Sequence, residues 1–306
     1  MDNFITFSSI ITQYRIVNNV TQQEFLNTLQ KNIDILNKID LVTLSRWENG
    51  RTKPTFKRMI IILHTIGELK KYLLLLINHN VNNNPLEGYY NLRFNTRTDL
   101  AIRLFYNIEN TIDFRQVNLF YKNNFAVEKI RDFYMSIYLN EKDNIKNIIE
   151  QTNSISIYTE GKFTGISIYK EFNNKEINNN TNIELPLNKI LSLPNNDDNN
   201  SLLIIDSISI TKTSLMLLNL ETYLKLSNKN IKKLYILTSD HEHYKYCIKH
   251  GFIFNCNIIT NKTKIKLISI DTFDYITNKT IFNHALFVIK ILREQNIPLL
   301  NKISDY

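Results

Sequence analysis

Residues 41–54 of the chain read LVTLSRWENGRTKP, and this stretch decides how the first quarter of the sequence is interpreted. Leu44 and Trp47 lie three positions apart, so on a helix they share one face. Gly50 then ends that helix, because glycine readily takes the left-handed conformation that closes a helix. A basic segment, RTK at 51–53, follows directly. The stretch therefore predicts a short helix with one apolar face and a positively charged exit.

The surrounding sequence predicts a compact helical domain. Thr21 and Glu24 have the spacing of a capping box at the start of a second helix. Asp40 is a good N-cap for the helix described above, and Gly67 ends the one that follows it. We expect five helices over about 4–17, from Thr21 into 30–39, 41–49, 55–66 and 68–78.

The pattern changes after residue 90 and predicts a mixed sheet flanked by helices. Residues 118–150 look helical, and alternating segments around Gly161 and Gly165 predict a hairpin. Further strands are expected at 201–210, 231–239, 253–259 and 264–271, with an amphipathic helix at 214–227, a helix ending at Gly251 and a last helix at 282–294.

Asn-rich stretches divide this plan into parts. We predict a first domain at 1–80, a linker at 81–91 and a second domain at 92–306. Residues 171–200 have loop composition and are interpreted as a long insertion in the second domain.

Composition limits the functional classes. The formal net charge of +8 over 306 residues favours a polyanionic partner such as nucleic acid, or an anionic membrane surface. Cys247 and Cys256 give no disulfide framework, which suits a reducing compartment. The N-terminus has no signal-peptide pattern, and the apolar runs are shorter than the ~20 residues of a membrane span. We expect a cytoplasmic protein with no membrane partner.

Two segments carry a resemblance to a known family. VTQQEFLNTLQ at 20–30 and DLVTLSRWENGRTKP at 40–54 resemble the Cro/CI (XRE) family of helix-turn-helix domains. The resemblance covers about residues 4–77. Thr21 and Trp47 are several residues further apart than that family usually has them, which we interpret as a longer second helix and turn at 30–39.

The resemblance implies a DNA-reading helix starting at Leu41. Arg46 is suited to a bidentate contact with guanine, and Leu41, Val42 and the Thr43 methyl to contacts with thymine methyl groups. Gln22 matches the family's phosphate-contacting glutamine. The predicted DNA-binding residues are Gln22, Leu41, Val42, Thr43, Ser45, Arg46, Asn49, Arg51, Lys53 and Lys57. In the alternative interpretation, Trp47 belongs to the core and the basic residues are an ordinary solvated face.

The second domain resembles, more loosely, the GNAT acyltransferase fold over about residues 90–275. In that family a Gly-rich loop before a helix binds the acyl-CoA pyrophosphate, but the corresponding segment here, TKTSL at 211–215, contains no Gly. Cys247 also stands where the family has a Tyr general acid. We therefore expect no enzymatic activity, no catalytic residue and no cofactor.

A possible metal site and the role of the second domain leave alternatives open. His243, Cys247 and His250 share a helical face, with His241 and Cys256 nearby, but the spacing matches no familiar zinc site and we predict no metal. The second domain is expected to mediate homodimerisation or to sense a small-molecule or protein effector.

The sequence as a whole predicts a sequence-specific DNA-binding transcriptional regulator that binds double-stranded DNA at a palindromic operator. The family resemblance implies a bacterial or phage-encoded, nucleoid-associated homodimer. The alternatives are an acyl-CoA-dependent N-acyltransferase fused to a DNA-binding domain, and an antitoxin-like or phage-type repressor that binds another protein.

Overall fold

The computed structural model describes residues 7–76, 83–94, 114–115, 117–121, 152–173, 177, 184–194, 200–228, 230–260 and 264–297. These residues form two compact units, with the division between residues 80 and 81; Ser227 and Asn228 group with the first. No helix in the described ranges is both long and apolar enough to cross a membrane.

The first unit consists of helices around one small core. They are α1 (Phe7–Val17), α2 (Gln22–Asn32), a 3-10 helix (Asp34–Leu36), α3 (Leu41–Glu48), α4 (Phe56–Thr65) and α5 (Leu69–Leu75). The largest fully buried side chains of this core come from four of these elements: Ile10, Ile11, Phe25, Leu29, Leu36 and Leu44.

The helix ends of the first unit confirm the sequence signals. Thr21 Oγ1 accepts from the Glu24 amide at 3.2 Å, and the Thr21 amide donates to Glu24 Oε2 at 2.9 Å, so the capping box is complete. Asp40 Oδ1 accepts from the Thr43 amide at 2.7 Å. Gly50 has φ +66°, as a helix-ending glycine requires.

The segment 30–39 differs in detail from the predicted longer helix. The helix α2 ends at Asn32 because Ile33 takes an extended conformation, with φ −149° and ψ 111°. The 3-10 turn that follows buries Leu36 and Ile39, and Gln30 Nε2 donates to the Ile39 carbonyl at 2.7 Å. The additional residues are thus fixed by burial and by one side-chain cap.

The second unit is built on an eight-stranded mixed sheet, which confirms the predicted α/β class. Its strands are β1 (Val117–Tyr121), β2 (Asn153–Thr159), β3 (Lys162–Asn173), β4 (Glu184–Pro186), β5 (Asn200–Ser209), β6 (Lys233–Thr238), β7 (Ile253–Ile259) and β8 (Lys264–Asp271). Their order across the sheet is β1-β2-β3-β5-β6-β8-β7-β4. The pairs β5–β6 and β4–β7 are parallel, and the other neighbours are antiparallel.

Six described helices belong to this unit. They are α6 (Glu87–Phe94), α7 (Leu187–Leu191), α8 (Lys212–Leu226), α9 (His241–Lys249), α10 (Thr272–Ile276) and α11 (Lys279–Glu294). The helix α8 was expected to be amphipathic, but its residues are buried nearly all round, from Thr213 to Leu226. A helix that is apolar on all sides is an interior helix, and α8 packs on both the sheet and α11.

Three segments differ from the sequence expectation. Residues 118–121 were predicted to be helical but belong to β1, where Val117 and Leu119 are buried and Asn118 is exposed, a two-residue alternation that pairs with β2. The rest of the predicted helix, at 122–150, lies outside the described residues. The predicted linker, 81–91, includes the start of α6, whose Tyr90 is buried because it hydrogen-bonds inside the second unit.

The predicted insertion at 171–200 also contains core structure. Helix α7 contributes Leu187, Ile190 and Leu191 to the cluster that covers one face of the sheet. Lys170 Nζ, on β3, donates to the carbonyl of Leu191 at the end of α7, where a positive charge is favourable. Burial lowers the pKa of Lys170 to about 8.

Gly165 lies where β3 and α8 approach each other closely. A Cβ added there would lie 3.0 Å from Ser214 Cβ and 3.2 Å from the Ile208 carbonyl oxygen. Gly165→Ala should therefore lower the free energy of unfolding of the second unit by about 1–3 kcal/mol, measured by urea titration with tyrosine near-UV circular dichroism. Gly88→Ala, with open space around its Cβ in α6, is the control and should be neutral or slightly stabilising. Equal effects of the two changes would contradict this packing argument.

Candidate functional site

The residues of α3 divide between a buried and an exposed face. Leu44 and Trp47 are buried, and Phe7 packs edge-on against Trp47 at 6.5 Å between ring centroids. On the other side, Leu41 and Val42 are 39% and 57% exposed although both are apolar. Ile16 and Val17 at the end of α1 are a second exposed aliphatic pair, 66% and 70% exposed, so exposure alone does not single out α3.

The other predicted DNA-binding residues lie in the first unit as follows. Thr43, Ser45 and Gln22 are half-buried. Those that are exposed are Arg46, Asn49, Arg51, Lys53 and Lys57. The exposed residues lie in α3, in the loop after it and at the start of α4, so the positive charges of the segment 46–57 are presented to solvent.

A buried carboxylate fixes the orientation of α3. Glu48, whose side chain is 4% exposed, accepts from Arg15 Nε at 2.5 Å and from Arg15 Nη2 at 2.9 Å. Gln22 Nε2 donates to the same carboxylate at 2.5 Å. One carboxylate thereby joins α1, α2 and α3. Gln22 was predicted to contact phosphate, and Arg15, whose partner is 33 positions away, was not predicted to take part.

An open depression of about 650 Å³ lies beside this carboxylate, between α1 and the end of α3. Asn49 and Lys53, two of the predicted contacts, line it together with Gly50. The remaining polar lining comes from α1, and sequence reasoning missed it: Ser8, Ser9, Thr12 and Gln13. Their signal was the run FSSIITQ, in which polar residues occupy the face opposite Phe7, Ile10 and Ile11. Ile16 and the Glu48 carboxylate complete the lining, so the depression combines hydroxyl, amide and lysine donors with one negative group.

The second unit has a cleft where its central parallel strands separate. The pairing of β5 with β6 covers Ser201 to Ile204 and stops there. Beyond it lies a cleft of about 270 Å³ at the carboxyl ends of the two strands. In open α/β sheets ligands bind at such ends. No sequence motif marks where two strands stop pairing, so this cleft was not predicted.

The charged lining of the cleft comes from three elements. Arg93 of α6 approaches Asp240, at the start of α9, to 4.0 Å, and its Nη1 donates to the Tyr89 hydroxyl at 3.3 Å. Asp206 lies on β5. His243 Nδ1 lies 3.2 Å from Thr238 Oγ1, and burial lowers the pKa of His243 to about 4, with the Arg93 charge acting in the same direction. The imidazole is therefore neutral at physiological pH.

The residues considered as metal ligands do not converge. Among the described residues no three His, Cys, Asp or Glu side chains come close enough to hold a metal ion. Cys247 and Cys256 are both buried free thiols, and burial raises the pKa of Cys247 to about 12. A thiol with that pKa is neither a nucleophile nor a ready ligand at pH 7.

At the start of α8, side chains of the segment 211–215 form hydrogen bonds with one another and with neighbouring groups. The Ser214 amide donates to Thr211 Oγ1 at 3.1 Å, and Ser214 Oγ donates to the Thr164 carbonyl at 2.8 Å. Lys212 Nζ is bound by Glu87 Oε1 at 2.8 Å and by Asn91 Oδ1 at 2.6 Å, both from α6. Thr211, Thr213 and Ser214 are buried. The hydroxyl groups of Thr211 and Ser214 and the Lys212 ammonium group are thus all hydrogen-bonded within the second unit.

Neither a protein-family model nor a curated protein matches the sequence. Among solved structures, an acetyltransferase of Bacillus subtilis in complex with CoA is similar over 51% of this chain and 97% of its own, at 11% identity and a TM-score of 0.31. A GNAT-family acetyltransferase from Streptococcus pneumoniae covers 50% of this chain and 99% of its own, at 10% identity and a TM-score of 0.27. Malonyl-CoA decarboxylase from Rhodopseudomonas palustris is similar over 74% of this chain and 52% of its own, at 10% identity and a TM-score of 0.29. Similarity at these TM-scores assigns neither family nor activity.

Proposed function

We propose that the protein is a sequence-specific DNA-binding transcriptional regulator whose first unit is a helix-turn-helix domain. The observation that supports this most is α3: its inner face is anchored by Leu44 and Trp47, while Val42 and Arg46 are exposed on the opposite side. The helix is short, capped and rigidly joined to α1 and α2 through Glu48. Such a helix fits a major groove about 12 Å wide.

The proposed contacts separate into two kinds. Arg46 can pair with guanine O6 and N7, and Leu41 and Val42 with thymine methyl groups, so these residues specify sequence. Asn49, Arg51, Lys53 and Lys57 fit phosphate contacts, which position the domain without selecting bases. The hydroxyl groups of Ser8 and Thr12 extend the phosphate-binding surface along α1.

We also propose that the protein acts as a homodimer on a palindromic operator. Two copies of a reading helix placed one DNA turn apart recognise two half-sites, and the symmetry of the protein then matches that of the DNA. The second unit is the proposed dimerisation and effector domain.

Selection of bound duplexes from a random pool should return a palindrome with two equal half-sites. On that operator, Arg46→Ala should cost about 1–3 kcal/mol and relax specificity at one base pair per half-site. Lys53→Ala should weaken binding to all sequences alike and reduce the salt dependence of binding. Lys71→Ala, an exposed lysine in α5 paired with Glu68, is the control for loss of charge alone.

Two results would overturn the proposal. One is a pool that shows no enrichment. The other is an operator that both Arg46→Ala and Lys53→Ala bind as tightly as the unaltered protein does.

The alternative function is that of an acyl-CoA-dependent N-acyltransferase. The order of strands and helices in the second unit, with β5, α8, β6, α9 and a β7–β8 hairpin, favours it because this is the order on which the GNAT resemblance rests. The contacts at the start of α8 oppose it, since the Ser214 amide is already bound by Thr211 Oγ1 and the Lys212 ammonium group by Glu87, which leaves fewer donors for a pyrophosphate. We propose that the unit does not transfer acyl groups, and saturable acetyl-CoA binding in calorimetry would contradict this.

A further inference from the structure

An exposed acidic residue stands at the leading end of α3. Asp40 immediately precedes Leu41 and Val42, the first residues of the helix proposed to enter the major groove. The exposed charged residues between positions 41 and 57 are all basic. A negative charge among phosphate groups costs binding free energy unless a hydrogen-bond donor of the DNA contacts it. Asp40 therefore needs a donor in the groove, or it opposes DNA binding.

The carboxylate of Asp40 is charged and held in place. Its Oδ1 accepts from the Thr43 amide at 2.7 Å, which caps α3. Hydrogen bonds from the side chain and the amide of Thr43 lower the pKa of Asp40, and the Arg46 charge has a smaller effect in the same direction. A carboxylate has about four acceptor sites, so the contacts with Thr43 leave capacity for another donor.

The major groove limits which base can supply that donor. Guanine presents only acceptors there, and thymine presents an acceptor and a methyl group. Adenine presents its N6 amino group beside the N7 acceptor, which a carboxylate repels, whereas cytosine presents its N4 amino group alone. A carboxylate at the tip of the helix thus favours cytosine over the other three bases.

We propose that Asp40 is a specificity-determining residue of the DNA-binding site and accepts a hydrogen bond from N4 of a cytosine in each half-site. This role rests on the proposed DNA-binding function and adds to it a contact that also rejects wrong bases by repulsion. An α-helix rises about 1.5 Å per residue, so Arg46 lies about 9 Å further along the axis, whereas base pairs are about 3.4 Å apart. The cytosine and the guanine contacted by Arg46 therefore belong to different base pairs.

The change Asp40→Asn alters the base contact without removing the helix cap. Asp and Asn are equally good N-cap residues, so the variant should unfold at the same urea concentration when Trp47 fluorescence is followed. Its amide group pairs with adenine through N6 and N7. In duplexes selected from a random pool, one base pair per half-site should therefore change from cytosine to adenine, and the guanine assigned to Arg46 should remain.

Two control variants separate base recognition from loss of charge. Asp34→Asn removes an exposed carboxylate of the 3-10 helix and should leave every base preference unchanged. Asp40→Ser keeps a good N-cap residue, but its hydroxyl group both donates and accepts. The preference for cytosine, expected to be about tenfold or more in the unaltered chain, should disappear in Asp40→Ser without a new preference for adenine.

A chemical change in the DNA tests the same contact on the unaltered protein. N4-methylcytosine still pairs with guanine, but its methyl group replaces the amino hydrogen that faces the groove. Placed at the selected cytosine, it should weaken binding of the unaltered chain about tenfold or more and affect Asp40→Ser much less. Fluorescence anisotropy titrations at one salt concentration measure both ratios.

Three results would overturn this role of Asp40. They are variants Asp40→Asn and Asp40→Ser that prefer the same bases as the unaltered chain at every position, a change of preference at an A·T base pair of the original operator, or N4-methylcytosine that is bound as tightly as cytosine at every selected position. In each case an operator is still selected, so the proposed function stands and only the cytosine contact is lost. A pool without enrichment would remove both.

Discussion

Glu48→Ala should lower the free energy of unfolding of the first unit by about 3–5 kcal/mol. The carboxylate is buried and accepts hydrogen bonds from Arg15 and Gln22. Removing it leaves the Arg15 guanidinium, 18% exposed, without its negative partner. A buried charge that loses its partner costs far more than the pair contributed when intact, which is why the expected loss is large.

Trp47 makes this measurement specific to one unit. It is the only tryptophan of the chain and lies in the core of the first unit. Its fluorescence during urea unfolding therefore reports that unit alone, whereas a signal averaged over a two-unit chain would not be two-state. Lys38→Ala, at an exposed position between α2 and α3, is the control and should change the free energy of unfolding by less than about 0.5 kcal/mol.

A double-mutant cycle separates the ion pair from simple loss of packing. Arg15→Met keeps most of the side-chain volume and removes the charge. If the pair acts as a unit, Glu48→Ala combined with Arg15→Met should be less destabilising than the sum of the two single changes. Strict additivity, or a loss below about 1 kcal/mol for Glu48→Ala, would mean that the carboxylate does not hold the three helices together.

Local signals explain what the sequence predicts well. The capping box at Thr21, the N-cap at Asp40 and the left-handed Gly50 each depend on residues within a few positions, and all three are present. The hairpin of β2 and β3 around Gly161 and the continuous apolar run of β5 are equally local. Such signals depend only on neighbouring residues, so they can be recognised in a sequence before the tertiary structure is known.

Distant partners explain what the sequence does not predict. The pairing with β2 makes Val117–Tyr121 a strand, although its composition also suits a helix. Tyr90 belongs to the core through contacts with Asn219 and His284, more than a hundred positions away. The cleft arises where β5 and β6 stop pairing, which no residue type marks. The exposed residues of α3 could thus be proposed as DNA contacts from the sequence, whereas the cleft of the second unit could not be predicted.

The contact of Tyr90 with His284 leads to the second large prediction, a loss of stability in acid. The Tyr90 hydroxyl lies 3.0 Å from His284 Nε2 and accepts from Asn219 Nδ2 at 2.9 Å. His284 Nδ1 lies 3.1 Å from Oδ1 of the Asn84 side chain. These partners require Nδ1 to carry the proton and Nε2 to accept from Tyr90. Both nitrogens of the neutral ring are then hydrogen-bonded, and a second proton on Nε2 would require the Tyr90 hydroxyl to turn from donor to acceptor while it also accepts from Asn219.

Burial lowers the pKa of His284 to about 3, against the opposite effect of a hydrogen bond with the Met216 backbone. In the unfolded chain the pKa is about 6.5. Between these values the unfolded state binds a proton that the folded state does not, so the free energy of unfolding falls as the pH decreases from 6.5 toward 3. From pH 7 to pH 4.5 this single group should remove about 2.5 kcal/mol. His243, with a pKa of about 4, acts in the same direction.

His284→Gln isolates the contribution of this ring because glutamine does not titrate. The variant should be less stable at pH 7, where it loses the matched network, but its free energy of unfolding should fall about 2.5 kcal/mol less than that of the unaltered chain between pH 7 and pH 4.5. Urea titration followed by tyrosine near-UV circular dichroism measures both quantities, with the Trp47 signal of the first unit as the internal control. Parallel pH profiles for the variant and the unaltered chain would show that His284 is not held neutral. A pH profile that becomes flatter for the variant in the second unit, but not in the first, would show that the His284 ring, hydrogen-bonded to Tyr90 and Asn84, joins α6 to α11. That ring would then set the lower pH limit of stability for the second unit.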